Sequence, residues 1–182
     1  MSSRVDRVAA MVLVRLRAVR ADDLDALATP RTPEADPFEF FGFEATNGLA
    51  QRFAANGLIT DDFGQLAVEN ADGQLVGQLG WYAVRHGPSP TARALNVGIT
   101  LLPAHRGRGY GTSAQAALAG YLFANTLVER LEATTNVENI AEQRALTKAG
   151  FQREGVVRHG QFRAGEWHDL VVYSRLRGDP TP

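Results

Sequence analysis

The sequence contains no cysteine, and this absence limits its chemistry more than any other feature of its composition. Disulfide bonds, thiolate metal sites and a cysteine nucleophile are therefore excluded. The chain also lacks any uninterrupted apolar stretch of the roughly 18 residues that a membrane-spanning helix needs, because arginines break the short apolar run near its start. We therefore expect a cytoplasmic protein with no membrane partner.

The sequence carries almost no net charge either. Its 19 basic and 20 acidic residues leave a formal charge of −1, so it has no field that would attract nucleic acid. Its four histidines have no shared metal-ligand spacing, and we expect no metal site. The 182 residues fit one domain, which we predict over residues 1–179 with a disordered end at 180–182, in a monomer or a homodimer.

The most informative stretch runs from Leu95 to Phe123 and reads as a strand, a glycine-rich loop and a helix. Three glycines in five positions, Gly107, Gly109 and Gly111, let the backbone turn so that successive N–H groups point into one concavity. The following helix adds its unpaired N–H groups and the positive end of its dipole. This stretch therefore predicts a phosphate-binding site.

Other interpretations of this loop are possible. A P-loop is excluded because no Lys follows Gly111. The run Gly109 to Ala114 does satisfy the dinucleotide pattern G-x-G-x-x-A, with Glu129 or Glu132 placed where a ribose-binding acid would lie. However, Pro103 to Arg108 separates these glycines from the strand, and too little chain follows for a doubly wound sheet. A simple glycine turn with solvated arginines is the third alternative.

Two motifs and the C-terminal region resemble one superfamily. The loop RGRGYG, Arg106 to Gly111, resembles the R/Q-x-x-G-x-G/A loop with which the GNAT superfamily of N-acetyltransferases binds acetyl-CoA. The run NIAEQRALTKAGF, Asn139 to Phe151, resembles the second signature of that superfamily. The tail from Arg153 to Asp179 resembles the branch that acetylates ribosomal-protein N-termini, the RimJ/RimL-like enzymes. The resemblance extends from about Val12 to Asp179 and is weakest between Thr29 and Thr60.

The resemblance implies both a fold and a reaction. The fold is α/β, with a mixed, mostly antiparallel sheet of about seven strands that is splayed between strands 4 and 5 and has helices on both faces. The reaction is direct transfer of an acetyl group from acetyl-CoA to a primary amine in a ternary complex, without a metal. The alternative is a non-catalytic acyl-CoA-binding or interaction module of the same fold.

The resemblance also implies which residues hold the cofactor. They are Leu101, Leu102, Arg106, Gly107, Arg108, Gly109, Tyr110, Gly111, Thr112 and Asn139. Asn139 is placed to cap a helix, which alone explains an Asn there, and the resemblance adds a contact with the pantetheine arm. We also expect a bulge at Gly98, where the family distorts the strand.

The catalytic residues are where this sequence departs from the family. Glu142 stands where relatives often have a Ser thought to protonate the departing thiolate, and Gln161 and Asn96 stand where they have basic carboxylates. Glu142 is either an acid-base group with a pKa raised by desolvation or a favourable charge in the first turn of a helix. Glu44 and Asp62 are the other candidate bases.

The acceptor is predicted from an irregular segment between Pro30 and Gly48. It contains the acids Glu34, Asp36, Glu39 and Glu44 and four phenylalanines at 38, 40, 41 and 43. In the family the equivalent segment covers the acceptor site, so these residues favour a small cationic amine over a protein N-terminus. Alternatively, the phenylalanines plug the core and the acids form a solvated loop face.

The histidines are assigned no catalytic role. His86 falls in a loop, where we expect it to be exposed to solvent. His168 and Asp169 are adjacent on a predicted strand and should point to opposite faces, so they cannot serve one site.

The remaining elements are predicted from alternation and turn signals. Strands are expected at Met11–Arg17, Gln65–Glu69, Gln74–Val84 and Arg130–Thr135, and helices at Leu49–Asn56 and from Asn139.

Overall fold

The computed structural model describes residues 13–29, 32–34, 36–42, 48–89 and 91–182. A seven-stranded sheet lies at its centre, in the order β1-β2-β3-β4-β5-β7-β6. The strands are β1 Val14–Ala18, β2 Phe63–Asn70, β3 Leu75–Arg85, β4 Arg93–Leu101, β5 Arg130–Asn136, β6 Gln152–Arg163 and β7 Glu166–Leu176. Only β4 and β5 pair in parallel, and all other neighbours in this sheet are antiparallel. The predicted mixed α/β fold is confirmed.

Four α-helices cover the two faces of this sheet within the described ranges. They are α1 Leu24–Leu27, α2 Gly48–Asn56, α3 Tyr110–Asn125 and α4 Ile140–Lys148. Short 3₁₀ turns precede α1 and α3, at Ala21–Asp23 and Pro103–His105. No helix in this part of the chain is both long enough and apolar enough to cross a membrane. The first strand begins later than Met11, the predicted start, which lies outside the described residues.

The main core lies between the sheet and helices α3 and α4. Helix α3 buries Ala114, Leu118, Ala119 and Leu122, a spacing that places them on one helical face. They pack with buried strand residues from the centre of the sheet, among them Leu95 of β4 and Leu131 of β5. A smaller cluster on the opposite face joins α1 and α2 to β2 through Leu27, Leu58 and Ala67. The sheet is therefore sandwiched between two helical layers.

The parallel strands β4 and β5 separate part-way along their length. They pair only at Leu95 with Leu131 and at Asn96 with Glu132. Beyond this point β4 stays paired with β3 as far as Leu101, while β5 stays paired with β7 through Asn136. An opening therefore runs through the middle of the sheet and confirms the predicted splay between strands 4 and 5.

The predicted bulge at Gly98 is wrong. Gly98 faces Gly80 in a β3–β4 register that runs unbroken from Arg85 opposite Arg93 to Gly77 opposite Leu101. The separation arises because two strands with different outer partners diverge, and no extra residue is inserted into β4.

Candidate functional site

The glycine-rich loop between β4 and α3 has the backbone geometry of an anion cradle. Gly107 and Gly109 have φ values of 73° and 82°, a left-handed conformation that side chains disfavour. Helix α3 begins directly afterwards, at Tyr110, and the N–H of Ser113 is already bonded to the Gly109 carbonyl at 3.1 Å. The N–H groups before Ser113 lack intrahelical acceptors and lie at the positive end of the helix dipole. This terminus is suited to phosphate oxygens.

The loop opens onto a cleft of about 470 Å³ formed by the end of β4, the starts of α3 and α4, and the segment 36–39. Seven residues of the predicted cofactor set line it: Leu101, Arg106, Gly107, Gly109, Gly111, Thr112 and Asn139. The other three have different surroundings. Leu102 uses its N–H in a 2.9 Å bond to the Val76 carbonyl, Tyr110 packs against the main core, and Arg108 is exposed.

The glycines leave room where a ligand would need it. A Cβ built on Gly107 would meet no atom within 4 Å, and one on Gly111 would come no closer than 3.7 Å to Leu101 Cδ1. Because both residues line the cleft, their backbone faces open space. The loop therefore fits a pyrophosphate group such as that of CoA.

Arg106 supplies a cationic side chain at the same loop. Its Nε donates to the Leu101 carbonyl at 3.1 Å, and its guanidinium forms an ion pair with the buried carboxylate of Asp36. This contact joins the segment expected over the acceptor site to the phosphate loop, across 70 residues of sequence. With 38% of its side chain exposed, Arg106 remains accessible to a bound anion.

Glu142 is the strongest acid-base candidate in this cleft. Burial and, to a lesser extent, the charge of Glu39 raise its pKa to about 7, against the opposing effect of a hydrogen bond from the Gln115 amide. Both glutamates line the cleft. A carboxyl group with a pKa near 7 is populated in both protonation states at neutral pH and is therefore suited to proton transfer.

The other two candidate bases lie elsewhere. Glu44 is outside the described residues. Asp62 is exposed, pairs with Arg93 at 3.0 Å and is not part of the cleft lining. The structure therefore does not bring Asp62 to the cleft.

His86 has a carboxylate partner that sequence reasoning missed. Its Nε2 lies 2.5 Å from Oε1 of the buried Glu132, although 55% of the histidine side chain is exposed, as expected. The two residues are 46 positions apart, and nothing in the sequence links them. In contrast, His168 and Asp169 have separate partners. His168 Nε2 lies 3.1 Å from the Arg163 carbonyl, whereas Asp169 accepts the His159 N–H at 2.8 Å.

The structure shows the capping role of Asn139. Its side-chain oxygen accepts the Glu142 N–H at 3.2 Å at the start of α4.

We expect Asn139→Ala to lower the free energy of unfolding by about 1 kcal/mol because this cap is lost, and Asn139→Ser to retain stability because serine also caps. If the amide also holds the pantetheine arm, Asn139→Ser should lower CoA affinity about fivefold, one neutral hydrogen bond. Chemical denaturation measures the stability of the variants, and calorimetric titration measures their CoA affinity. Unchanged CoA affinity in Asn139→Ser would show that Asn139 only caps α4.

Comparison with known proteins agrees with this geometry. The acetyltransferase (GNAT) domain model matches residues 14–152. Among curated proteins of Bacillus subtilis (strain 168), the chain is 32% identical over 109 residues to the probable N-acetyltransferase YjcK and 30% identical over 104 residues to the uncharacterized N-acetyltransferase YoaA. The matches cover 60% and 57% of this chain and 59% and 56% of those relatives, so the chain spans less than two thirds of their length.

Solved structures show the same fold at low sequence identity. The spermidine N-acetyltransferase from Vibrio cholerae, crystallised with CoA and spermine, has a TM-score of 0.77 at 19% identity, over 92% of this chain and 97% of its own. A GNAT-family acetyltransferase from Bacillus anthracis has a TM-score of 0.74 at 20% identity, over 92% and 96%. With the domain match over residues 14–152, the glycine-rich loop and the splayed sheet, the chain belongs to the GNAT acetyltransferase family.

Proposed function

We propose that this protein is an N-acetyltransferase that transfers an acetyl group from acetyl-CoA directly to a primary amine in a ternary complex. The observation that carries this proposal is the position of the glycine loop and the α3 terminus, which open onto a cleft beside the point where β4 and β5 separate. An opening through the sheet lets two substrates approach one point from opposite faces. We also propose that residues 1–179 form one domain.

The cofactor-binding roles follow from the cleft. The loop and the first N–H groups of α3 receive the pyrophosphate, and Arg106 exchanges part of its contact with Asp36 for phosphate oxygens. The backbone of Ile99 and the N–H of Leu101, beyond the last β4–β5 pair, are free of β5 and available to the pantetheine amides, whereas the Leu101 carbonyl accepts from Arg106. Acetyl-CoA supplies the acetyl group as a thioester.

Glu142 is proposed as the general acid. It lies three residues after Asn139, where many relatives have the Ser thought to protonate the departing thiolate. With a pKa of about 7, its carboxyl group is protonated in about half of the molecules at neutral pH. It therefore has a proton to donate to the sulfur.

For the acceptor we propose a small cationic amine. Asp36 and Glu39 place carboxylates in the cleft wall, and Phe38 adds an apolar surface between them. The Vibrio cholerae spermidine N-acetyltransferase of the same fold was crystallised with spermine. A protein N-terminus is the second candidate because the tail from Arg153 to Asp179 resembles the RimJ/RimL-like branch.

A direct assay tests the proposed function. We expect release of free CoA thiol from acetyl-CoA with at least one member of a panel of polyamines, aminoglycosides, amino acids and peptides with free N-termini. The alternative, a non-catalytic acyl-CoA-binding module, is favoured by the absence of a carboxylate at Asn96 and Gln161. Tight acetyl-CoA binding without turnover of any amine would support that alternative.

The acidic segment gives a test of substrate class. We expect the double variant Glu39→Gln/Glu44→Gln to raise KM for the amine about tenfold, because charge-assisted hydrogen bonds contribute about 1.5–3 kcal/mol and are lost or weakened. KM for acetyl-CoA should change little. Glu34→Gln is the matched control, since Glu34 is exposed in the same segment and does not line the cleft. An unchanged amine KM, or turnover of peptides alone, would contradict the small-amine proposal.

A further inference from the structure

The sheet face opposite the cofactor cleft carries a polar patch beside the β4–β5 opening. Asn96 and Glu132 form the last Cα pair before the strands separate, so their side chains share a face. This face points away from α3 and α4, because the adjacent Leu95 and Leu131 point into the core that those helices cover.

This face is partly exposed near the opening, although Asn96 and Glu132 themselves are buried. Tyr82, the β3 partner of Asn96, is 52% exposed, and the mid-strand residues Gly98 and Thr134 are exposed as well. Residues in the middle of central strands are normally buried on both faces when helices cover the sheet. The exposed residues therefore offer an amino group an approach to the opening from the side opposite the cofactor, and a second ammonium group of a polyamine that passes through the opening would meet Asp36 and Glu39 in the cofactor cleft.

His86 and Glu132 form a hydrogen-bonded pair at this polar patch. Oε1 of the buried Glu132 lies 2.5 Å from His86 Nε2 and also accepts from Arg130 Nε at 2.5 Å. An ionised carboxylate can only accept, so Nε2 carries the hydrogen of this bond. Nδ1 is then the ring nitrogen with a lone pair when the imidazole is neutral, and 55% of the histidine side chain is exposed.

Charged groups from several elements surround the pair. In the part of the chain that the structure describes, His86 interacts with the carboxylates of Glu132 and Glu154, while Arg130 bonds to both of those carboxylates. Arg130 and Ser174 hold the pKa of Glu154 at about 2, so this group stays ionised. Partial burial and the charge of Glu132 raise the pKa of Tyr82, which therefore remains a neutral phenol.

We propose that His86 accepts the proton of the substrate ammonium group, directly or through one water, and that Glu132 is the positioning residue that holds its ring. This inference rests on the proposed function and supplies the base that the family's usual carboxylate positions lack. Asn96 does not ionise, and its amide donates to Thr134 Oγ1 at 3.2 Å. Gln161 does not ionise either.

The proton balance is complete with these groups. An ammonium nitrogen loses two protons on becoming an amide, one before it attacks the thioester carbon and one as the C–S bond breaks. His86 takes the first proton and releases it to solvent. Glu142 protonates the departing sulfur and regains its proton from the nitrogen, so that one proton is released per turnover.

The test compares two histidine variants of the full chain. We expect His86→Gln to lower kcat/KM for the amine about 100-fold, the usual contribution of a general base, while CoA affinity stays unchanged. Added imidazole should restore part of the lost rate. His159→Gln is the matched control, because His159 lies on β6, outside the cofactor cleft and the polar patch, and should keep wild-type kcat/KM.

Glu132→Gln tests the positioning role. We expect kcat/KM to fall, with a changed pH profile, and nitrogen NMR of labelled histidine to show the Nε2–H form of His86 in the wild-type protein and a mixture of tautomers in the variant. Wild-type kcat/KM and an unchanged pH profile in folded His86→Gln would overturn the inference and leave the proposed function intact. Lack of turnover by the wild-type protein would overturn the proposed function, and this inference with it.

Discussion

Replacing Gly111 with Asp should lower CoA affinity by about 100-fold or more while the protein stays folded. The new carboxylate would stand among the N–H groups that receive the pyrophosphate, so like-charge repulsion and occupation of those donors act together. Folding should not suffer, because an acidic residue in the first turn of α3 interacts favourably with the helix dipole. Isothermal titration with CoA and thermal unfolding measure the two properties.

Gly111 is a better position for this test than Gly109, because a side chain there adds charge without straining the backbone. A Cβ on Gly111 makes only ordinary contact, 3.7 Å from Leu101 Cδ1, whereas Gly109 has φ +82° and its Cβ would lie 3.3 Å from Leu13 Cδ1. Gly109→Asp would therefore combine backbone strain with charge. Gly111→Ala is the matched control and should bind CoA within a few-fold of the wild-type protein, since no charge is introduced. Unchanged CoA affinity in folded Gly111→Asp would show that the loop assignment is wrong.

Local signals in the sequence were sufficient for most of the fold. Alternation predicted β2 and β3, and the turn residues between them predicted their antiparallel pairing, which the register confirms. The glycine loop predicted the start of α3 because left-handed backbone at Gly107 and Gly109 is a local requirement. Asn139 predicted the start of α4 because capping depends on a residue three positions away.

The features of the fold and the site that the sequence could not predict depend on contacts between residues that are far apart in the chain. The Gly98 bulge was wrong because the separation of β4 from β5 depends on the outer partners of both strands. Tyr110 is in the predicted cofactor set by its position in the motif, and the structure adds that its ring packs against the core. The contact of Asp36 with Arg106 spans 70 residues and that of His86 with Glu132 spans 46, so only the folded chain brings these partners together.

Glu142→Gln should lower kcat about 100-fold and, at alkaline pH, make the protein more stable. The activity falls because the amide cannot protonate the departing thiolate, whereas KM for acetyl-CoA should change little since the side chain keeps its size. In the wild-type protein, kcat should decline as the pH rises through about 7, where the acid loses its proton. The variant should lose this decline, which a pH–rate profile measures.

The stability effect follows from the raised pKa of Glu142. Its value of about 7 in the folded protein exceeds the ordinary value of 4.5, so the protonated form stabilises the fold below pH 4.5 and this contribution is lost as the pH rises to about 7. A shift of this size corresponds to about 3 kcal/mol at 1.36 kcal/mol per unit. Glutamine does not ionise, so the stability gain of the variant should be about 2 kcal/mol larger at pH 8 than at pH 5.

An exposed glutamate next to the same helix provides the control for both effects. Glu138 lies just before α4 and outside the cleft, so Glu138→Gln should leave kcat and the pH dependence of unfolding as in the wild-type protein. If Glu142 only favours the helix dipole, its replacement would leave kcat unchanged and lower stability slightly at every pH above its titration. A fall in kcat with a gain in stability at alkaline pH therefore indicates an acid that donates a proton. An unchanged kcat with a slight loss of stability indicates a charge that stabilises the first turn of α4.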